Sequence, residues 1–258
     1  MLELGLIDQY FFIRYYDPEF HIRLRFHLSH IDKIGELIRL VNIYLQPFIE
    51  DRFIWKEQVD IYVRELERYG SKTIDIAERL FYYDSMALLE MLSLTEGDER
   101  ESIRWVWAIR SIDELLNCFG FSLQQKSELL TGLKDLFAAE YNVDKPLTLQ
   151  LNDRYREHKQ VIEQIMNTED EATSELFPLI EILYKKTAQC SLLSEKIIQL
   201  HKSNELEVPI NEFISSLIHM MVNRIIKADS RLHEMVIYNF SSRYYQSAII
   251  KLKIDQKV

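Results

Sequence analysis

Between residues 21 and 28 the chain alternates strictly, with His21, Arg23, Arg25 and His27 on one side and Ile22, Leu24, Phe26 and Leu28 on the other. A period of two is a strand, and this one is half-buried and presents a cationic face. Just upstream, Phe11-Phe12-Ile13-Arg14-Tyr15-Tyr16 is aromatic and β-prone, and Asp17-Pro18 is a turn signal, so residues 10–28 predict a two-stranded hairpin. Nothing after residue 72 repeats this pattern. From there the apolar residues recur at helical spacing, and six glycines with five prolines are too few for the turns of a sandwich or barrel. The expectation is an α+β body of 1–258, with a small N-terminal antiparallel sheet packed on a larger, mainly helical part.

Between the hairpin and the helices, Ile34, Leu37, Ile38, Val41 and Leu45 predict an amphipathic helix broken near Pro47. Trp55 to Val63 reads as another strand, and a helix should run from about Lys72 to Leu94. Later breaks are expected at Thr95 to Asp98, Phe119 to Ser122, Asn142 to Pro146, Asn167 to Ser174 and Ser203 to Pro209, with Asn211 capping a last well-defined segment. The sequence shows no internal repeat and no Gly/Ser-rich linker.

Thirty-one basic residues against 41 acidic ones give a formal charge of −10, which argues against a dedicated nucleic-acid binder. No apolar run reaches the roughly 18 residues of a membrane span, and no signal-peptide pattern is present, so a cytoplasmic location is expected. Cys118 and Cys190 stand in separate helical stretches without metal-ligand spacing and read as reduced, buried residues. His21, His27 and His30 lack a completing carboxylate or Cys pattern, so no metal is expected, and no phosphate loop or dinucleotide fingerprint signals a cofactor.

Three groups could carry chemistry. Arg14, Arg23 and Arg25 crowd positive charge onto strands; they either reach solvent and pair with Asp17 and Glu19, or form a carboxylate-binding fork. Tyr62, Arg64, Glu65 and Arg68 contain an i,i+3 pair that is either a surface ion pair or part of a site. Ser216, His219 and Asn223 share a helical face, where a lone histidine is more often structural than catalytic.

Four ordered strings, FFIRYYDPEFHIRLRF (11–26), DIYVRELERYG (60–70), ERLFYYDS (78–85) and SLIHMMVNR (216–224), resemble the C-terminal elimination domain of lantibiotic dehydratases, also found as a separate chain in thiopeptide-type bacteriocin biosynthesis. The resemblance runs from about residue 10 to the mid 220s. It implies a lyase that expels glutamate from glutamylated Ser or Thr of a ribosomally made precursor peptide, leaving dehydroalanine or dehydrobutyrine. Carried over motif by motif, Arg25, Arg68 and His219 would be catalytic, and Arg14, Arg23 and Glu65 would bind substrate. The reaction suits these residue types: arginine stabilises the enolate that follows loss of the α-proton, or the departing carboxylate, Glu65 receives the glutamyl amine or orients Arg68, and His219 moves a proton.

The same resemblance implies a separate glutamyl-tRNA-dependent glutamylation protein as a partner. A cyclase, an exporter and a second copy of the chain are further candidate partners, with peripheral membrane association through such a complex. Two departures stand out. Met1 lies only ten residues before the first motif, where the family domain carries a further strand, so the chain is expected to lack that strand; and Ser71 replaces a second glycine. Two other functions stay open: pyridine-ring formation by cycloaddition, which related stand-alone proteins perform and which needs no glutamate pocket, and non-catalytic binding of the precursor peptide as a split-dehydratase module.

Overall fold

The computed structural model describes residues 1–95, 97, 99–167 and 174–255. Strands β1 (Ile7–Tyr15) and β2 (His21–Leu28) pair antiparallel, with Phe11 opposite Arg25, Ile13 opposite Arg23 and Tyr15 opposite His21. A one-turn 3-10 helix leads into α1 (Ile34–Glu50), and the short α2 (Leu66–Tyr69) precedes α3 (Ile74–Ser93). Then follow α4 (Glu99–Cys118), α5 (Leu123–Glu140), α6 (Lys145–Asn167), α7 (Phe177–Lys202), α8 (Ile210–Ile225) and α9 (Ser230–Asp255). The class is α+β and mostly helical, with one two-stranded sheet among the described residues. No helix among them is long and apolar enough to cross a membrane.

Both faces of β1 meet the helices, but on β2 the half-buried side is that of His21, Arg23 and Arg25 and not that of Ile22 and Leu24. Cross-strand pairing sets His21, Arg23 and Arg25 on the same side as Tyr15, Ile13 and Phe11, and Phe11 and Ile13 are buried against α3 and α8. Ile22 and Leu24 are left exposed. The arginine stems lie on aromatic rings, with the Arg23 guanidinium 3.9 Å from the Tyr15 centroid and that of Arg25 5.0 Å from Tyr62. This is how a charged strand face can be half-buried: the methylenes and the guanidinium plane pack while charge is retained.

Three local expectations are corrected. Residues 54–65 hold no strand: the alternation is real, but no ladder partner exists within the described chain, and Trp55, Val59, Ile61 and Val63 stand exposed. Here the chain reverses after α1, where the Phe53 and Ile54 amides donate to the Phe48 carbonyl and Asn42 donates to Glu57 at 3.4 Å. Pro47 does not break α1, which continues to Glu50; its missing N–H falls on a helix so exposed that only Leu37 is buried. Asn211 is not a cap, because α8 starts after Pro209 without a side-chain cap, and α8 is followed by a 26-residue helix that the sequence reading did not delineate. Most of the remaining breaks fall where expected, although residues 96, 98 and 168–173 lie outside the described residues. Cys190 is buried and Cys118 partly so, both unpaired.

Helix α8 is packed against β1, α2, α3, α4 and α9. Arg224, 1% exposed, joins the sheet to it: its Nε donates to the Phe12 carbonyl at 3.0 Å, its Nη1 donates to Met220 and lies 3.5 Å from Asp84, and its plane sits 4.4 Å from the Phe81 ring centroid. Asp84 also binds the buried Lys186 at 2.9 Å. Burial pulls the Arg224 guanidinium below its ordinary range; burial pulls the Lys186 ammonium down too, but Asp84 together with the neighbouring Cys190 and Cys118 holds it above its own. Two buried cations therefore share one carboxylate. Asp84→Ala should lower the unfolding free energy by about 3–5 kcal/mol in urea titrations, since it strands both charges in the interior.

Candidate active site

On the inner face of β2, Arg23 donates from Nε to His21 Nε2 at 3.1 Å, and the buried Nε of Arg25 meets no acceptor. Among the described residues neither guanidinium has a carboxylate partner; Asp17 and Glu19 do not pair with them. The neighbouring Arg64 differs, since Glu78 holds it through bonds of 2.8 and 2.7 Å and Asp75 binds it too, so the Glu78 contact first of all keeps it charged well above its ordinary range. Tyr62, packed edge-on against Phe11 at 5.8 Å, lies between the two arginines' surroundings. Burial, and then the Glu78 carboxylate, push its hydroxyl far up, so it remains a neutral donor.

Arg14 sits on the other face of β1 from Arg23 and Arg25, by strand alternation. Its backbone N–H donates to Asn223 Oδ1 at 2.9 Å and its carbonyl accepts from Asn223 Nδ2 at 3.0 Å, so one asparagine serves the free edge of β1 as a neighbouring strand would. The Arg14 Nε also donates to the Arg224 carbonyl.

The second group turns on α2, where Glu65 and Arg68 pair at 3.1 Å with both side chains partly open to solvent. Next to them, the buried Tyr69 donates its hydroxyl to the Ser216 carbonyl of α8 at 3.2 Å. Gly70 ends the turn at φ 73°, where a Cβ would come within 2.8 Å of Glu207 Oε2. Glu207 comes from the loop before α8 and accepts from the Ser71 amide and hydroxyl and the Lys72 amide. Those bonds, the Ser71 hydroxyl foremost, hold its carboxyl below the usual carboxylate range. Ser71, the departure noted in the sequence, is thus a ligand of this clamp.

The third group lies on α8. Ser216, His219 and Asn223 share a face as expected, so His219 is about one turn from the place where α2 docks and one turn from the place where β1 docks. Its Nδ1 is 2.7 Å from Glu234 Oε1 on α9, and Glu234 is 0% exposed. Tyr238 donates to the same oxygen at 3.1 Å, Arg231 approaches the other at 3.3 Å, and Arg231 in turn binds Glu140 at 2.6 Å. Glu234 escaped the sequence reading because its helix was not delineated and fifteen residues and a bend separate it from the histidine.

The residues thus fall into three pairs, Arg25 with Tyr62, Arg68 with Glu65 and His219 with Glu234, linked through the 62–69 segment and the Tyr69–Ser216 bond. No group of three His, Cys, Asp or Glu gathers as a metal site among the described residues.

Residues 1–245 match the family model described as lantibiotic biosynthesis dehydratase C-term. The chain belongs to this family. The match extends past the last motif string and takes in Glu234 on α9. Among relatives, it is 24% identical over 237 residues to the subtilin biosynthesis protein SpaB of Bacillus subtilis and 22% identical over 253 residues to the nisin biosynthesis protein NisB of Lactococcus lactis subsp. lactis. These alignments cover 89% and 93% of this chain, which spans 22% of the length of each relative. Its fold is shared with the tRNA-dependent lantibiotic dehydratase MibB from Microbispora sp. 107891, at a TM-score of 0.66 and 19% identity over 93% of this chain and 25% of that one. TsrL shares it at 0.63 and 11% identity, covering 95% of this chain and 86% of the other.

The Glu207 clamp places α2 relative to α8 and makes a measurable difference. Glu207→Gln should speed amide exchange at Ser71 and Lys72 on the order of tenfold without a global change. Because the folded carboxyl is lowered, protection of these amides is present at neutral pH and is lost only as pH falls through a value below the ordinary carboxylate range.

Proposed function

We propose that this protein eliminates glutamate from glutamylated Ser and Thr residues of a ribosomally made precursor peptide, leaving dehydroalanine or dehydrobutyrine. The observation that carries the reading is the contrast among arginines. Among the described residues Arg64, Arg224 and Arg231 are each matched by a carboxylate, whereas Arg23 and Arg25 have none. Arg79 and Arg243 also lack one, but Arg23 and Arg25 stand two apart on one strand face and so can act on one ligand together. Two half-buried guanidinium groups with spare donors are a receptor for an anion, and a glutamyl ester brings one carboxylate and creates a second on cleavage.

In this reading Arg23 holds the free carboxylate of the glutamyl unit and Arg25 stabilises the enolate oxygen of the peptide as the α-proton leaves. Arg68, held by Glu65, receives the departing carboxylate. Glu65 takes the glutamyl amine as well, and Arg14 contributes by fixing β1 on α8 beside His219. His219 carries the proton. Glutamate is attached beforehand by a separate glutamyl-tRNA-dependent protein, and a cyclase, an exporter or a second copy of the chain would complete an assembly on the peptide.

The test is mass spectrometry of a precursor-like peptide bearing one glutamyl-Ser ester, incubated with the protein. Glutamate should be released, leaving a product one water lighter than the Ser peptide. Arg25→Ala should slow this by about 10²–10³-fold, and His219→Ala should slow it by about 10²–10⁴-fold, leaving a measurable residual rate, while peptide binding is kept. Binding without any release of glutamate by the unmutated protein would instead indicate a peptide-holding module.

A further inference from the structure

We infer that Glu234 is the positioning residue that makes His219 the base of the elimination, acting from Nε2; this rests on the function proposed above. A carboxylate buried to 0% exposure is costly unless its lone pairs are satisfied, and each donor around Glu234 has a role. Arg231 faces Oε2 at 3.3 Å, with Glu140 of α5 beyond it, and gives the carboxylate a cationic partner. Tyr238 donates to Oε1, and burial together with Glu234 holds its hydroxyl well above the ordinary tyrosine range, so it cannot act as the acid there. The remaining neighbour of Oε1 is His219 Nδ1 at 2.7 Å. An ionised carboxylate offers only acceptors, so Nδ1 must carry the proton of the neutral ring, and the lone pair is left on Nε2.

The other elements packed on α8 leave this arrangement alone. Their charged groups meet the helix at its C-terminal end, where Arg14 of β1 reaches the Arg224 carbonyl, Asp84 of α3 reaches the Arg224 guanidinium, and Arg104 of α4 donates to the Ile225 carbonyl at 2.7 Å. On α2, Arg68 is engaged by Glu65. His219 therefore has one charged partner on the described chain, on the side away from its lone pair.

The direction of proton transfer follows from the leaving group. In the step, the Cα–H bond breaks with its proton passing to His219 Nε2, the C–H electron pair forms the Cα–Cβ double bond, and the Cβ–Oγ bond breaks with its pair leaving on glutamate, of which Oγ becomes one carboxylate oxygen. A carboxylate departs without needing a proton, near neutral pH, so the demand on the enzyme is for a base alone. The imidazolium formed is matched by Glu234 and loses its proton to solvent afterwards. Orienting the ring and matching the new charge is the part a buried carboxylate plays behind a histidine base.

Two measurements test this. In the unmutated protein, 15N chemical shifts of the His219 ring at high pH should report a protonated Nδ1 and an unprotonated Nε2; the opposite tautomer would overturn the assignment whatever any variant does. With the glutamyl-Ser peptide, Glu234→Gln should reduce kcat about 10²-fold or more with KM little changed. In the His219→Ala background the same substitution should cost nothing further. Equal losses in both backgrounds would mark Glu234 as merely structural, whereas failure of the unmutated protein to release glutamate, with the ring tautomer as stated, would sink the functional reading and leave the dyad standing.

Discussion

The arrangement depends on one buried guanidinium. Arg224 is the last residue of α8's motif string, and it is simultaneously a backbone donor to β1, a donor to its own helix, an ion partner of Asp84 and a cation over Phe81. A two-stranded sheet is marginal by itself, with too little apolar area to hold its shape in water. Here the strand edge is bound to α8 by Arg224 and by the paired bonds of Asn223, while Phe11 and Ile13 fill the space above α3. Without that joint, the inner strand face that carries Arg23 and Arg25 would have no fixed position relative to His219.

Several interior cations are each matched by a carboxylate. Arg224 and Lys186 share Asp84, Arg110 and Lys126 meet Glu114 and Asp113 at 2.9 and 2.5 Å, and Arg64 is held by Glu78. These matched charges sit in or against the interior, where an unmatched one would be prohibitive. Arg23 and Arg25 are placed where partial exposure makes an unmatched charge tolerable and aromatic faces replace a carboxylate in holding the side chain. In the function proposed, such a pair receives an anion delivered from outside.

What could be read from sequence was what depends on local periodicity: the hairpin, most of the helix boundaries, and the shared face of Ser216, His219 and Asn223. Harder to read was anything that depends on which surface an element meets. The alternation of 21–28 identifies a strand but not which side faces the helices, and arithmetic on apolar residues points the wrong way because Ile22 and Leu24 are outside. The alternation of Trp55 to Val63 has the same character, since a strand needs a ladder partner as well as a pattern and none is supplied by the described chain. Glu234 was invisible for a different reason: its significance is a contact between two helices, and no spacing rule connects position 219 to 234.

The four motif strings turn out to mix two kinds of residue. ERLFYYDS holds no candidate for chemistry, yet Glu78 ties up Arg64 and supports Tyr62 beneath Arg25, Phe81 packs on Tyr69 and Phe11, and Asp84 neutralises Arg224. SLIHMMVNR contains His219, but its Ser216, Asn223 and Arg224 are docking points for α2 and β1. A family resemblance carried by such strings is therefore a statement about how three elements are fastened around one helix as much as about the groups that react. The fastening residues Asp84 and Arg224 are buried, charged and mutually dependent, so that changing one alone strands another.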